Sequence, residues 1–269
     1  MRGILCYICG LNISGLLMIL VGQPAWAGAW PVEGAHGQVI STSLFDTASK
    51  AYDASGKASR TVNFRKVEES LFIEHALDKD WTLVVSTAFQ DVSFTAGASE
   101  VSFSGLGESY IGLRKTLWRG GNSIVSIQPG LLVSGSGETI SDADLGLGKF
   151  GFEPRVLAGH SFKLAGRDSF GELQAARRFR KAPYPNDWRL DATMGVQVTR
   201  KLQVLGQAFY TSTQASPEIA RANSRLKLQA SLVLKRSQKT SWQFGVYETI
   251  AGKNSVRERA FLFAIWSRY

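Results

Sequence analysis

Acidic, basic and tyrosine side chains recur at even spacing in several stretches of the sequence. They are Glu108, Tyr110 and Arg114; Glu153 and Arg155; Arg189 and Asp191; Arg225 and Lys227; and, further on, Tyr247. In an extended chain, residues two apart share a face. Acids and bases sharing one wall can do two things: fill a closed space with ion-pair and hydrogen-bond ladders, or line a path and select solutes by charge and width. Both uses require the wall to be wet, so the elements that carry these residues must be amphipathic.

Other reactive types are sparse. The three histidines, His36, His75 and His160, stand apart without metal-ligand spacing, so no metal is expected. Membrane-barrel lipases pair Ser with His, and His75 or His160 beside a serine of a neighbouring strand would be the place for it. His160 and Ser161, however, point to opposite faces of one strand, and the sequence argues against an enzyme. The glycine-rich pieces 134–137 and 146–148 flank Glu138, Asp142 and Asp144. A phosphate cradle would need a Lys and a following helix, so a solvated loop is expected there, without a cofactor. Arg177, Arg178, Arg180 and Lys181, just before Pro183-Tyr184-Pro185, are read as an outer-surface patch for anionic lipopolysaccharide or solvent.

The first 27 residues carry one charge, Arg2, then an apolar stretch to Val21, then Pro24 and Ala25-Trp26-Ala27. This is the pattern of a cleaved secretory signal peptide, with Gly28 as the mature start and residues 28–269 as one domain. Cys6 and Cys9, the only cysteines, fall inside the signal. The mature chain therefore relies on backbone pairing and packing rather than disulfides or thiolate ligands. Of 31 basic residues only Arg2 is lost, leaving 30 against 22 acidic ones, a formal charge of +8. The bases are dispersed and the chain is exported, which argues against a nucleic-acid partner.

No later apolar stretch approaches the ~20 residues of a membrane helix. Instead, side chains alternate. Trp188, Leu190, Ala192, Met194, Val196 and Val198 oppose Arg189, Asp191, Thr193, Gly195 and Gln197; Leu226, Leu228, Ala230, Leu232 and Leu234 oppose Arg225, Lys227, Gln229 and Ser231. Turning Arg or Lys toward lipid at mid-membrane costs roughly 2–4 kcal/mol each, so the apolar face must be outward and the interior wet. Twelve strands are predicted near 37–45, 64–77, 81–93, 105–117, 123–133, 149–162, 169–181, 187–199, 202–213, 223–235, 240–250 and 258–269. Backbone groups in hydrocarbon need partners, so such strands must close into a barrel. The expectation is an all-β, up-and-down antiparallel transmembrane barrel with a narrow lumen, periplasmic short turns and longer outer loops, including 46–62, 95–104 and 134–148. Trp81, Trp118, Trp188 and Trp242 are assigned to the periplasmic aromatic girdle. On the last strand Phe261, Phe263, Ile265 and the terminal Tyr269 share a face and resemble the signal read by the barrel assembly machinery.

Several stretches carry a wider resemblance: Gly28-Ala29-Trp30-Pro31-Val32-Glu33-Gly34, Gly105-Leu106-Gly107-Glu108, Ile111-Gly112-Leu113-Arg114, Ile127-Gln128-Pro129-Gly130, and Gly245 to Asn254. Together they resemble proteobacterial outer-membrane barrels assigned to transport, a family named for the MetA pathway of phenol degradation. The resemblance implies a bacterial outer-membrane barrel for uptake of small or hydrophobic compounds, and carries over no ligand-binding residue. No long amino-terminal hatch is evident before the first strand. The resulting expectation is a passive channel or facilitator for a small solute. The alternatives are a non-conducting structural or surface-interaction barrel and, third, a lipid hydrolase.

Overall fold

The computed structural model describes residues 28–31, 36–96, 99–133, 135, 150–181, 184–216 and 222–269. The signal-peptide reading of 1–27 and the acidic trio Glu138, Asp142 and Asp144 lie outside these residues. Twelve antiparallel strands make one closed barrel. They are β1 (Gly37–Tyr52), β2 (Arg60–Ala76), β3 (Trp81–Ala96), β4 (Ser99–Leu106 and Ser109–Gly120), β5 (Ser123–Ile127 and Gly130–Val133), β6 (Gly151–Glu153 and Arg155–Leu164), β7 (Arg167–Arg180), β8 (Asp187–Gln197), β9 (Leu202–Thr213), β10 (Asn223–Lys235), β11 (Thr240–Lys253) and β12 (Ser255–Val256 and Arg259–Arg268). Each pairs with the next, and β12 returns to β1 from Gln38↔Arg268 to Thr47↔Arg259, so the sheet has no free edge.

The period-two pattern dictates which face is which. On β10, Leu228 and Leu232 are 45% and 50% exposed, whereas Arg225 and Lys227 are 8% and 7% exposed. An outer surface of this kind suits hydrocarbon, where the inverted register would turn Arg225 and Lys227 toward lipid. Among the described residues no helix is long and apolar enough to cross a membrane; the crossing elements are strands.

One end of the barrel carries the short turns. Ala165-Gly166 joins β6 to β7 with both φ angles positive, 49° and 77°, the twist a two-residue hairpin needs. Asp78 holds the β2–β3 turn by accepting from the amides of Asp80 and Trp81, both at 2.7 Å.

At the other, loop end, β1 and β2 pair as far as Ala51↔Arg60, and β3 and β4 as far as Ala96↔Ser99. The loops expected at 46–62 and 95–104 are thus mostly strand. Beyond the apolar band a ladder needs no greasy face, so the alternation fades while pairing continues. Trp188 also departs from expectation: it follows the β7–β8 connection at the loop end, and its half-exposed ring belongs to that rim.

The interior is less wet than the alternation alone implies. Phe72, Val84, Tyr110, Leu132, Leu205 and Trp266 belong to one inward apolar cluster. Val62, Phe64, Val92 and Phe94 belong to a second, against which Phe103 packs.

Candidate functional site

Of the ten residues singled out for the lumen, nine lie on strand faces that point into it and Glu108 lies at the break in β4; most are consumed by ion pairs. The largest network spans β4, β6, β7 and β8. Glu153 Oε1 accepts from Arg155 Nε at 3.0 Å and Nη2 at 2.9 Å, and Glu153 Oε2 accepts from Arg178 Nε at 2.5 Å. Arg178 also donates to Glu108, which accepts from Arg180 Nη2 at 2.9 Å. Arg180 Nη1 reaches Asp187 at 2.6 Å, and Arg189 Nε donates to the other oxygen of Asp187 at 3.2 Å. Arg155 Nη1 completes the chain by donating to Asp191 at 3.0 Å and Gln174 at 2.6 Å. Four guanidinium groups thus meet four carboxylates.

The local sequence explains how these side chains converge. On β4, Phe89↔Leu106 and Ser86↔Tyr110 differ by one residue in register. This bulge at Gly107-Glu108 brings Glu108 to the same side as Tyr110. On β6, Pro154 separates two ladder segments without changing parity, so Glu153 and Arg155 both stay inward. Arg178 and Arg180 correct the outer-surface reading of the basic cluster. Arg178 is only 2% exposed, and both share a face with Glu172 and Gln174, while Arg177 and Lys181 remain outside. Parity along β7 carried that signal, whereas adjacency in sequence obscured it.

A second network lies across β1, β2, β10, β11 and β12. Tyr247 donates to Asp46, and Lys227 pairs with Glu258 while its Nζ sits 4.5 Å from the Tyr247 ring centroid. Lys66, wholly buried, donates to Glu68 at 3.0 Å, and Gln90 shares that oxygen at 2.9 Å. With Arg225 buried next to Lys227, this group holds three bases and three acids. Asp46, Lys66 and Glu68 were missed because β1 and β2 mix apolar and charged residues on the inward face, and Glu258 because it sits in the break between the two segments of β12.

Nearer the short-turn end, Tyr110 fills space left by Gly112 and Gly130, where a Cβ would come within 2.2 Å and 2.3 Å of its ring or hydroxyl. Its hydroxyl accepts from Gln128 Nε2 at 3.1 Å. Arg114 donates to Glu74 at 2.6 Å and to the carbonyl of Gly28 at 2.5 Å. The last contact belongs to a short amino-terminal segment inside the barrel, distinct from the long hatch that the sequence does not show. The Ala29 amide donates to Glu172 at 2.8 Å, its carbonyl accepts from Ser126 at 2.9 Å, and Trp30 packs edge-on against Phe170 at 5.9 Å. A Cβ on Gly159 would lie 2.3 Å from the Trp30 ring, so glycine there makes its slot. Gly28, Ala29 and Trp30 therefore lie across the lumen. Three residues have no periodicity to read, so they were visible only as part of the Gly28 to Gly34 stretch and not as lumen residues.

On the outside, Ser123 Oγ meets His160 Nδ1 at 2.7 Å at the short-turn rim. Among the described residues no acid orients the imidazole, and the Ser123 amide is committed to a strand ladder. The pair therefore lacks the third group and the oxyanion donors that acyl transfer uses. Phe261, Ile265 and Tyr269 of the closing segment point outward, as expected, and the Tyr269 carbonyl anchors the amides of His36 and Gly37 at 2.7 and 3.1 Å.

Comparison with known proteins places this geometry. Residues 42–269 match the family described as "Putative MetA-pathway of phenol degradation". Among solved structures, the COG4313 outer membrane channel from Pseudomonas putida F1 superposes with a TM-score of 0.65 at 14% identity, covering 91% of this chain and 99% of that one. The translocator domain of the autotransporter NalP from Neisseria meningitidis gives 0.53 at 11% identity, over 88% and 89%. The KdgM porin in complex with disordered oligogalacturonate gives 0.52 at 9% identity, over 86% and 99%. No curated protein matches the sequence.

Proposed function

The chain belongs to the family named for the MetA pathway of phenol degradation, and from that premise we propose that it is a passive channel or facilitator for small solutes in a bacterial outer membrane. The short-turn end faces the periplasm and the long-hairpin end the exterior. The observation that carries the reading is the inward network of Arg155, Arg178, Arg180 and Arg189 with their carboxylates, held in a lumen whose wall is closed. Arg180 Nε and Arg189 Nη2 are buried with no protein acceptor among the described residues. They are the donors a passing anionic or polar group would meet, facing the apolar Phe64 and Phe94 nearly across the ring. Such a mouth suits a small solute with an apolar body and a polar end. Fold likeness to an outer membrane channel and to porins supports the reading. We read the chain as non-enzymatic, with the outward Phe261, Phe263, Ile265 and Tyr269 serving the assembly machinery and Arg177 and Lys181 meeting lipopolysaccharide.

The test is conductance of the purified barrel in planar bilayers, followed by liposome swelling with solutes graded in size and charge. Ion currents and solute-dependent swelling are expected, and Arg189→Gln should move the reversal potential toward cation preference. A folded barrel that passes neither ions nor solutes would refute the channel. The second reading, a non-conducting barrel, is favoured by one observation, the tripeptide Gly28 to Trp30 lying across the lumen; Gly159→Val, which ejects Trp30, separates the two by restoring current only if that segment is the block.

A further inference from the structure

The two large lumen networks each balance acids against bases, but the group around the amino-terminal tripeptide does not. There Glu74 and Glu172 face one base, Arg114, and Arg114 spends its guanidinium on Glu74 and the Gly28 carbonyl. Glu172, 5% exposed, receives the Ala29 amide and the Gln174 side-chain amide. No basic side chain among the described residues lies within ion-pair distance of it. A buried carboxylate held only by neutral donors is costly to keep ionised unless a positive charge is supplied; otherwise it takes up a proton.

A candidate for that charge lies beside Glu172. A Cβ built on Gly28 would sit 3.2 Å from Glu172 Oε2, and backbone dimensions then put the Gly28 nitrogen within about 6 Å of the same oxygen. We infer that cleavage between Ala27 and Gly28 creates the missing partner: the new α-ammonium pairs with Glu172 and latches the tripeptide across the lumen. The cleavage is hydrolysis of one peptide bond, with water supplying the hydroxyl of the released carboxylate and the amine taking up a proton. Before it, the Gly28 nitrogen is an uncharged amide and Glu172 has no counter-charge; after it, Glu74 and Glu172 are matched by Arg114 and the ammonium, and the segment is held. Closure is thereby tied to export and maturation. The inference rests on the export reading of the channel proposal but not on conduction.

The test uses the full-length protein expressed with its own leader and extracted from outer membranes. Intact mass should give Gly28 as the first residue. The α-amine is then reacted with 2-pyridinecarboxaldehyde, which spares lysines, in the folded barrel in detergent. Labelling should be slow in the native protein and faster in Glu172→Gln by on the order of tenfold, the size carried by a charge-assisted hydrogen bond; Glu172→Asp should restore protection in part. Gly159→Val, with Glu172 intact, should also expose the amine by unseating Trp30 and serves if Glu172→Gln does not fold. A different first residue, or equal labelling in the native protein and the variants, overturns the latch. A barrel that conducts nothing yet protects its amine refutes the channel and leaves the latch standing.

Discussion

At the loop-end mouth, β2 and β3 present Val62, Phe64, Val92 and Phe94 to the lumen, while nearly opposite them β7 and β8 present Arg178, Arg180, Asp187 and Arg189. Both walls fill the same cylinder, yet they hold together differently. Apolar side chains contribute in proportion to the area each removes from water, so losses stay local. The charged wall is a chain in which Arg178 touches Glu108 and Glu153, Glu153 touches Arg155, and Arg155 touches Asp191. Removing one member leaves its neighbours buried with an excess of one charge among them. The contrast teaches that an arginine wall is a single cooperative object, whereas the phenylalanine wall is a collection.

The sharpest way to break that contrast is Arg178→Ala. It takes one of two arginines from each of Glu108 and Glu153, leaves the buried network one base short and should cost about 3–5 kcal/mol, read as a lowered urea midpoint for loss of heat-modifiable migration. Adding Glu153→Gln should recover part of the loss, because the network's excess negative charge disappears; a strictly additive double variant would mean the wall is not cooperative. On the facing wall, Phe64→Ala should cost about 1.5–3 kcal/mol by area removed from water, and its effect should add to that of Phe94→Ala or fall only slightly short. Strong coupling between the two phenylalanines, as large as that between Arg178 and Glu153, would erase the distinction.

The barrel was legible because lipid imposes a rule that every spanning residue obeys. Leu226, Leu228 and Leu232 could not be inward without turning Arg225 and Lys227 into hydrocarbon, so strand number, facing and closure followed from parity. Pairing across strands was not legible. That Arg155 meets Asp191 and that Lys227 meets Glu258 depends on register and barrel shear, which alternation within one strand does not encode. The phenylalanine wall was hidden for another reason: Phe64 and Phe94 sit on the inward face, where the rule for lipid makes no demand. The Gly105–Leu106–Gly107–Glu108 and Ile127–Gln128–Pro129–Gly130 stretches were visible as motifs. Their use became clear once the bulge and the slot around Tyr110 were seen.

Tyr110 sharpens the comparison from between the walls. Its ring belongs to the inward apolar cluster while its hydroxyl takes the amide of Gln128. Tyr110→Phe keeps the area and removes only the polar end, so it should cost about 1 kcal/mol in the same urea assay. A loss as large as that of Arg178→Ala would mean that the tyrosine belongs to the charged network rather than to the packing around it.

The smallest effect tests where electrostatics stops mattering on the apolar side. Above the phenylalanine wall the β1–β2 loop is organised by Asp53, whose carboxylate accepts from Ser55 Oγ and Ser59 Oγ, both at 2.6 Å, and from the amides of Ser55 at 2.8 Å and Lys57 at 3.0 Å. The hydroxyls of Ser55 and Ser59 first, then the Lys57 amide, hold this carboxyl below the ordinary carboxylate range. Because the folded value is depressed, the loop's order is fully present above the unfolded value, near 3.9, and is lost as pH falls through the depressed one. A carbon-detected titration should show Asp53 ionised after the exposed carboxylates have protonated. At neutral pH, Asp53→Asn should speed trypsin cleavage after Lys57 while the urea midpoint stays put, since Asp53 lies outside the barrel and is open to water. A shifted midpoint would join the loop to the folding of the wall beneath it, and the apolar side would then lean on a charge after all.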